Sequence, residues 1–144
     1  MNENTLRQIE QIIGYKFSNP SLLYEALTHS SISVSRSSSN ERMEFLGDAV
    51  LGVVVCHTLF ERFPDYLEGD LTKIKSLLVS RRTCARIAKQ LGLCEFLKVG
   101  KGMASNRAMT GSLAAGTLEA VIAAVYIDGG FEAAKNFITK IFWK

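Results

Sequence analysis

A nearly uninterrupted apolar segment that carries three acids constrains the fold of this chain more than any other feature. It begins at Glu41 as ERMEFLGD, reaches Asp48, and continues as AVLGVVV to Val55. Acids at positions 41, 44 and 48 are spaced i, i+3 and i+7, which places them on one face of a helix at about 100° per residue. Because the other positions are apolar nearly all round, the segment predicts a long helix at the centre of a core.

Two explanations account for acids in such a helix. In the first, Glu41 lies in the first turn, where the helix dipole favours it, and Glu44 and Asp48 face solvent or pair with Lys or Arg. In the second, they bind a metal, because buried Asp and Glu are paired or coordinate a cation. Clustered carboxylates suit Mg²⁺ or Mn²⁺ better than Zn²⁺, which prefers His and Cys. We favour the metal site and expect its second half in the apolar run from Ser112 to Gly130, whose single interior acid is Glu119.

Four segments resemble, in the same order, the signature sequences of the ribonuclease III family. They are EALTHSS at Glu25 to Ser31, NERMEFLGDAVLG from Asn40, EGDLTKIKSLLVS at Glu68 to Ser80, and EAVIAAVYIDGG ending at Gly130. The resemblance covers nearly the whole chain and implies an all-α endonuclease domain that forms a twofold homodimer. It also implies metal-dependent hydrolysis of double-stranded RNA, with 5′-phosphate products and short 3′ overhangs.

The resemblance assigns the metal ligands residue by residue. Glu44, Asp48 and Glu119 fall on three of the family's four metal-binding carboxylates, so we expect them to be the catalytic and metal-binding residues, with Mg²⁺ or Mn²⁺ as the cofactor. The fourth position, one turn before Glu119, carries Asp in the family and Gly116 here. A glycine inside a helix lowers helix stability by about 1 kcal/mol relative to Ala. Whether Gly116 is natural or was introduced is open on sequence alone. In either case we expect weaker metal binding and slower cleavage.

Two further acids and a symmetry argument complete the predicted site. Glu41 and Glu68 stand at family positions and are candidates to hold or orient a second ion, a weaker assignment. Paired Mg²⁺ ions can supply the nucleophile and neutralise both reacting oxygens of a phosphodiester. Cutting both strands needs two sites related by a twofold axis, which a homodimer provides. Phe45 and Leu46 are candidates for that interface, although core packing explains them equally well.

Basic residues supply a candidate RNA-binding surface. A net charge of +3 is only mildly basic, so a solvated helix face is an equal alternative for any single residue. The functional interpretation is salt-sensitive contact with phosphates, with RNA selected through its A-form shape and 2′-hydroxyls. The candidates are Lys73, Lys75, Arg81, Arg82, Lys101 and Arg107, and Arg86 and Lys89 lie in the same sequence cluster.

Length and composition favour one domain. Residues 1–144 are predicted to form an endonuclease domain, and we expect no double-stranded-RNA-binding domain among them. No charge-free run of 18 apolar residues and no secretory signal is evident, so we expect a cytoplasmic protein without a membrane partner. The last helix reaches Lys144 without a capping signal, which favours an isolated catalytic domain cut from a longer chain over a compact form of the family, and whether the native chain continues into an RNA-binding domain is open on sequence alone. The three cysteines show no metal or disulfide spacing and are predicted to be buried.

Local signals predict where the helices begin and end. The pattern gives a helix closed by Gly14, a long helix capped by Asn40, a helix capped by Asp70, and a helix from Ser80 to Gly92. The loops are Ser31 to Asn40 and Val99 to Ser112, and the last two helices, 112–127 and 131–143, are joined at DGG.

Three functional hypotheses remain open on sequence alone. The first is a metal-dependent endonuclease for double-stranded RNA, weakened at Gly116, and the survival of three acids favours it. The second is a catalytically silent RNA-binding or dimerisation domain of the same fold. The third and weakest is a helical interaction module with no nucleic acid partner.

Overall fold

Helices make up nearly all of the regular structure in the described part of the chain. The computed structural model describes residues 1–31, 39–100 and 111–143, so most of both predicted loops lies outside it. Apart from one isolated bridge between Thr28 and Lys98, the described secondary structure is helical, which confirms the all-α prediction. The helices are α1 (Glu3–Ile13), α2 (Ser21–Ala26), α3 (Glu41–Arg62), α4 (Glu68–Leu78), α5 (Arg81–Leu91), a 3₁₀ helix (Leu93–Phe96) and α6 (Gly111–Phe142).

The centre of the core is α6 and not α3. Every residue from 114 to 125 is buried, and α3, α5 and α2 pack around this part of α6. The prediction that α3 is central was wrong, because Phe45, Val53 and Phe60 on α3 are 82%, 53% and 71% exposed. Both helices are apolar, and an apolar pattern alone does not say which of two helices the others surround.

Two described helices, α3 and the Leu113–Phe142 part of α6, are long and apolar enough to cross a membrane by length and composition. The core helix of a folded domain meets the same criterion. The second of these helices is mostly buried inside the bundle, in keeping with its central place.

The backbones of α3 and α6 meet at Gly47. A Cβ atom added at Gly47 would overlap the backbone carbonyl oxygen of Glu119. Only glycine permits this approach, because any side chain at position 47 would push against main-chain atoms that have no freedom to move aside. The contact therefore sets the distance between the two helices that carry the predicted acids.

Asp128 holds the N-terminal segment against the break in α6. Its carboxylate accepts hydrogen bonds from the Tyr15 hydroxyl at 2.6 Å and from the backbone N–H groups of Ser18 and Asn19 at 2.8 Å. Partial burial raises the pKa of Asp128, but the three hydrogen bonds outweigh it and hold the pKa below its ordinary value. The break lies at Gly130, with φ of 87° and ψ of −177°, which confirms the junction predicted at DGG.

Most predicted helix ends are confirmed. Gly14 and Gly92 end α1 and α5 in the left-handed conformation, each with φ of 77°. The Ser80 hydroxyl accepts a hydrogen bond from the Thr83 N–H at 3.1 Å, so Ser80 caps α5 as expected.

Two predicted caps act differently. The Asn40 side chain makes no capping bond to α3 and instead donates to the Ala26 carbonyl at 3.2 Å, because Asn40 is buried against the end of α2. Asp70 lies inside the first turn of α4, which begins at Glu68. Its carboxylate reaches back to accept the Leu67 N–H at 3.1 Å, so it satisfies a free N–H from the third helical position.

Replacement of Gly47 by Ala tests the close approach of α3 and α6. We expect Gly47→Ala to lower the free energy of unfolding by about 3 kcal/mol, because overpacking against backbone forces the helices apart. The matched control is Gly52→Ala on the same helix, where an added Cβ has no atom within 4 Å. This control should gain about 0.5–1 kcal/mol from helix propensity. Urea unfolding at equal protein concentration measures the free energy of unfolding of both variants. Equal values for Gly47→Ala and Gly52→Ala would contradict the close approach of α3 and α6 at Gly47.

Candidate metal centre

Four of the five predicted acids line one cavity between α3 and α6. Glu41, Glu44 and Asp48 enter it from α3, and Glu119 enters from α6. The cavity has a volume of about 580 Å³. Its remaining lining residues are Phe45, Ala49, Val79, Arg81, Cys84 and Ala115.

The helices position these acids at different depths. The i, i+3, i+7 spacing on α3 points its three carboxylates toward the cavity, and the contact at Gly47 brings them alongside α6. Glu119 is only 6% exposed, whereas Glu44 is half-buried and Asp48 is exposed. The premise that the acids of α3 are deeply buried was therefore wrong, and the buried carboxylate is the one on α6.

Burial, together with the neighbouring Asp48 carboxylate, raises the pKa of Glu119 to about 8. The largest cause is burial, followed by a hydrogen bond with Asp48 and by the charge of Asp48, while the Arg81 guanidinium opposes the shift. The pKa of Glu44 is also raised, first by burial, with Arg81 again opposing. At neutral pH the cavity thus holds a proton on a carboxyl group, which is the situation that a bound cation relieves.

These residues fit a hard divalent cation by the chemistry of their oxygens. Carboxylate ligands suit Mg²⁺ and Mn²⁺, and after burial the Asp48 and Glu44 carboxylates both raise the pKa of Glu119, as neighbouring negative charges do. Within residues 1–31, 39–100 and 111–143, no three Asp, Glu, His or Cys side chains are grouped closely enough to hold one ion. A cation would have to draw the carboxylates together.

Gly116 lies beside Glu44. A Cβ atom added at Gly116 would overlap Oε1 of Glu44 and would lie 2.6 Å from its Cδ and 3.2 Å from its Oε2. The position where the resemblance predicts a fourth carboxylate is therefore covered by a carboxylate from the other helix. Sequence reasoning missed this pairing, because nothing along the chain links residue 44 to residue 116.

Glu68 lies outside the cavity. It is exposed in the first turn of α4, which follows the C-terminal end of α3. From Asp48 to Arg62 the helix runs about 21 Å at 1.5 Å per residue, so the chain has left the acids before Glu68 is reached. The structure of the single chain does not bring Glu68 to the other four acids.

The predicted basic residues divide into three groups. Arg81 lines the acidic cavity and also a second groove on α5 that includes Arg82. Lys73 and Lys75 lie on α4 and line neither, while Lys101 and Arg107 lie outside the described residues. The full lining of the second groove is Arg81, Arg82, Ala85, Arg86, Lys89, Gln90 and Gly111. Positions 82, 86 and 89 follow i, i+4, i+7 spacing, which is the sequence signal for this basic face.

The sequence matches the family described as Ribonuclease-III-like over residues 19–144. The chain belongs to this family. Ribonuclease 3 of Rhodopirellula baltica is 52% identical over 131 residues, which cover 91% of this chain and 49% of that protein. Ribonuclease 3 of Syntrophobacter fumaroxidans is 42% identical over 146 residues, covering 95% and 59%. The chain thus spans about half to three fifths of the length of these two relatives.

Solved structures of ribonuclease III nuclease domains share this fold. One structure of the nuclease domain of ribonuclease III from Campylobacter jejuni matches with a TM-score of 0.89 at 38% identity, covering 95% of each chain. Dicer from Pichia stipitis matches with a TM-score of 0.68 at 26% identity, covering 88% of this chain and 56% of that one. The fold and the family predicted from the signature segments are confirmed.

The acid cluster of this ribonuclease-III-like domain gives its metal-free stability a pH dependence. Glu119 has a raised pKa of about 8 against an ordinary value of 4.5, so between these values the folded state keeps a proton that the unfolded state loses. Stability should therefore fall as pH rises through this window, by at most about 1.4 kcal/mol per pH unit.

Urea unfolding in chelator, over a series from about pH 5 to about pH 8, measures this dependence. Glu119→Gln cannot ionise, so its profile should be flatter than that of the unchanged chain. Parallel profiles for the two proteins would contradict the raised pKa of Glu119.

Proposed function

We propose that this chain is a nuclease domain that hydrolyses double-stranded RNA with divalent metal ions held by Glu44, Asp48 and Glu119. The observation that carries the proposal is the convergence of these three carboxylates on one cavity in a chain that belongs to the ribonuclease-III-like family. Mg²⁺ is the expected ion, and Mn²⁺ has the same ligand preference. Glu41 lines the same cavity and orients or holds a second ion.

Asp48, Glu119 and Arg81 have distinct tasks in this proposal. Bound divalent ions supply a nucleophile at neutral pH and neutralise charge on the attacking and leaving oxygens. Asp48 is exposed and Glu119 is buried, and both carboxylates would hold the cation. Glu119 would hold the cation as a carboxylate, without the proton that it keeps in the metal-free cavity. Arg81 faces the phosphate, because it lines the cavity and already offsets the carboxylate charge.

Cleavage assays test this function with a long RNA duplex. The unchanged chain should cut it with Mg²⁺ and not with chelator, and Glu119→Gln should lose at least about 100-fold in rate. Gly116→Asp should gain about tenfold, or 1.4 kcal/mol of barrier, because the site would regain a fourth carboxylate. The products should carry 5′ phosphates and short 3′ overhangs. Duplex binding without cleavage by any of these proteins would instead support the catalytically silent binding domain.

The groove on α5 is the proposed path of the RNA backbone. Arg82, Arg86 and Lys89 line it, and Arg81 connects it to the acid cavity. A row of cations that ends at the metal-binding carboxylates is suited to guide one strand toward the reacting phosphate. Such contacts neutralise phosphates without reading sequence. RNA is then selected by A-form shape and by 2′-hydroxyl contacts across the minor groove.

Salt dependence separates the groove from other basic residues. Arg82→Gln and Arg86→Gln should each weaken duplex binding in chelator and reduce the slope of log K against log salt by about 1. Lys73→Gln removes an equal charge from α4, outside the groove, and should leave the slope unchanged. An effect of Lys73→Gln as large as that of the arginine variants would move the RNA path to α4.

An exposed apolar stripe on α3 is the proposed homodimer interface. The Campylobacter jejuni nuclease domain contains a region involved in dimer formation. In this chain the stripe has i, i+4, i+8, i+11, i+15 spacing and lies on one helix face. It consists of Phe45, Ala49, Val53, Cys56 and Phe60. Pairing with the same stripe of a second copy would bury it and would give two sites for the two strands of a duplex.

Leu46 is half-buried beside this stripe. A role for Glu68 at a metal would require the site of that second copy.

Disruption of the stripe tests the dimer. Val53→Glu places like charges near each other across a twofold interface and should convert the dimer to a monomer in sedimentation experiments. Phe131→Glu is the control, because Phe131 is 42% exposed on α6 and lies outside the stripe. Cys84 and Cys94 are buried as predicted, but the prediction was wrong for Cys56, which is exposed. A bifunctional maleimide should therefore cross-link the unchanged chain through Cys56. A monomeric unchanged chain would rule out the proposed interface.

A further inference from the structure

We propose that the Glu44 carboxylate, which lies over Gly116, takes the place of the carboxylate that is absent at position 116. The inference rests on the proposed metal site and deepens it, because it says how a site with three carboxylates is built. All three carboxylate atoms of Glu44 lie within 3.2 Å of the point where a Cβ of residue 116 would be. An Asp side chain at position 116 would place its own carboxyl group one bond beyond that point.

The packing of α3 on α6 places the Glu44 carboxylate over Gly116. Glu44 and Gly47 are one turn apart on α3, and Gly116 and Glu119 are one turn apart on α6. Gly47 of α3 lies against the backbone carbonyl of Glu119 on α6. One turn earlier on both helices, the Glu44 carboxylate of α3 lies against Gly116 of α6. With the helices this close, a side chain at position 116 and Glu44 in its observed position exclude each other.

A direct consequence concerns the size of residue 116. Gly116 is buried in the interior of α6, where helix propensity would ordinarily favour Ala over Gly. Ala at this position would displace the Glu44 carboxylate and supply no oxygen in exchange. Asp would also displace it but would supply a carboxylate at the same place, and Glu44 would be free to bind from α3. The glycine is therefore a requirement of the Glu44 position and not an empty gap in the site.

A carboxylate swap between the helices tests the inference through metal binding alone. Mn²⁺ affinity is measured by calorimetry without RNA for the unchanged chain, Gly116→Ala, Glu44→Ala and the double variant Glu44→Ala/Gly116→Asp. Gly116→Ala and Glu44→Ala should each weaken Mn²⁺ binding about tenfold or more. The double variant moves the carboxylate from α3 to α6 and should recover most of the lost affinity. Gly69→Ala is the control, because an added Cβ there also has no atom within 4 Å, and it should bind like the unchanged chain.

The outcomes separate this inference from the proposed function. If Gly116→Ala binds Mn²⁺ as well as the unchanged chain, Glu44 does not act from its place over Gly116, and the inference fails while the metal site stands. Failure of the folded double variant to recover affinity overturns it in the same way, with circular dichroism as the check of folding. If the unchanged chain itself binds no Mn²⁺, the proposed metal site and the inference fail together.

Discussion

The contact between the backbone of Gly47 and the carbonyl of Glu119 is the constraint on which the site depends. It joins the acid-bearing face of α3 to the most buried helix of the domain at a distance that no other residue allows. Two consequences follow from it. Asp48 comes close enough to Glu119 to raise its pKa, and the Glu44 carboxylate occupies the space beside Gly116. The same glycine therefore determines both the packing of the core and the arrangement of the charges.

In the protein without a bound cation, Arg81 only partly balances the negative charge of the carboxylates in the cavity. Burial and the neighbouring Asp48 carboxylate keep a proton on Glu119 near neutral pH, although Arg81 partly balances them. In the proposed function, this site would bind a small divalent cation through ionised carboxylates, without that proton. Arg81 also lines the basic groove of α5. A polyanion bound along that groove would therefore reach the cavity in which the cation would be held. The electrostatics of the cavity and of the groove are thus complementary parts of one proposed nuclease.

The long helix α3 shows why an apolar pattern is ambiguous. Its sequence predicts burial on nearly all sides, yet Phe45 and Phe60 are 82% and 71% exposed. An apolar pattern does not say which residues the other helices of the chain cover, and here they leave Phe45 and Phe60 exposed. The acids of α3 show a similar ambiguity. Their spacing correctly predicted that they share one helix face, but the apolar residues around them wrongly predicted that they are deeply buried. Depth depends on which neighbours surround a helix, and that is information the spacing does not contain.

The sequence by itself determined the helices, the ends at Gly14, Ser80 and Gly92, the shared face of the α3 acids, and the family. These features are set by residues within a few positions of one another or by motifs that are read along the chain. Only the tertiary structure decided that α6 is the core helix, that Asp128 holds the N-terminal segment, that Glu68 lies outside the cavity, and that Glu44 covers Gly116. Each of these depends on how closely two segments distant in sequence pack, and that distance is fixed by main-chain and side-chain volume across the core.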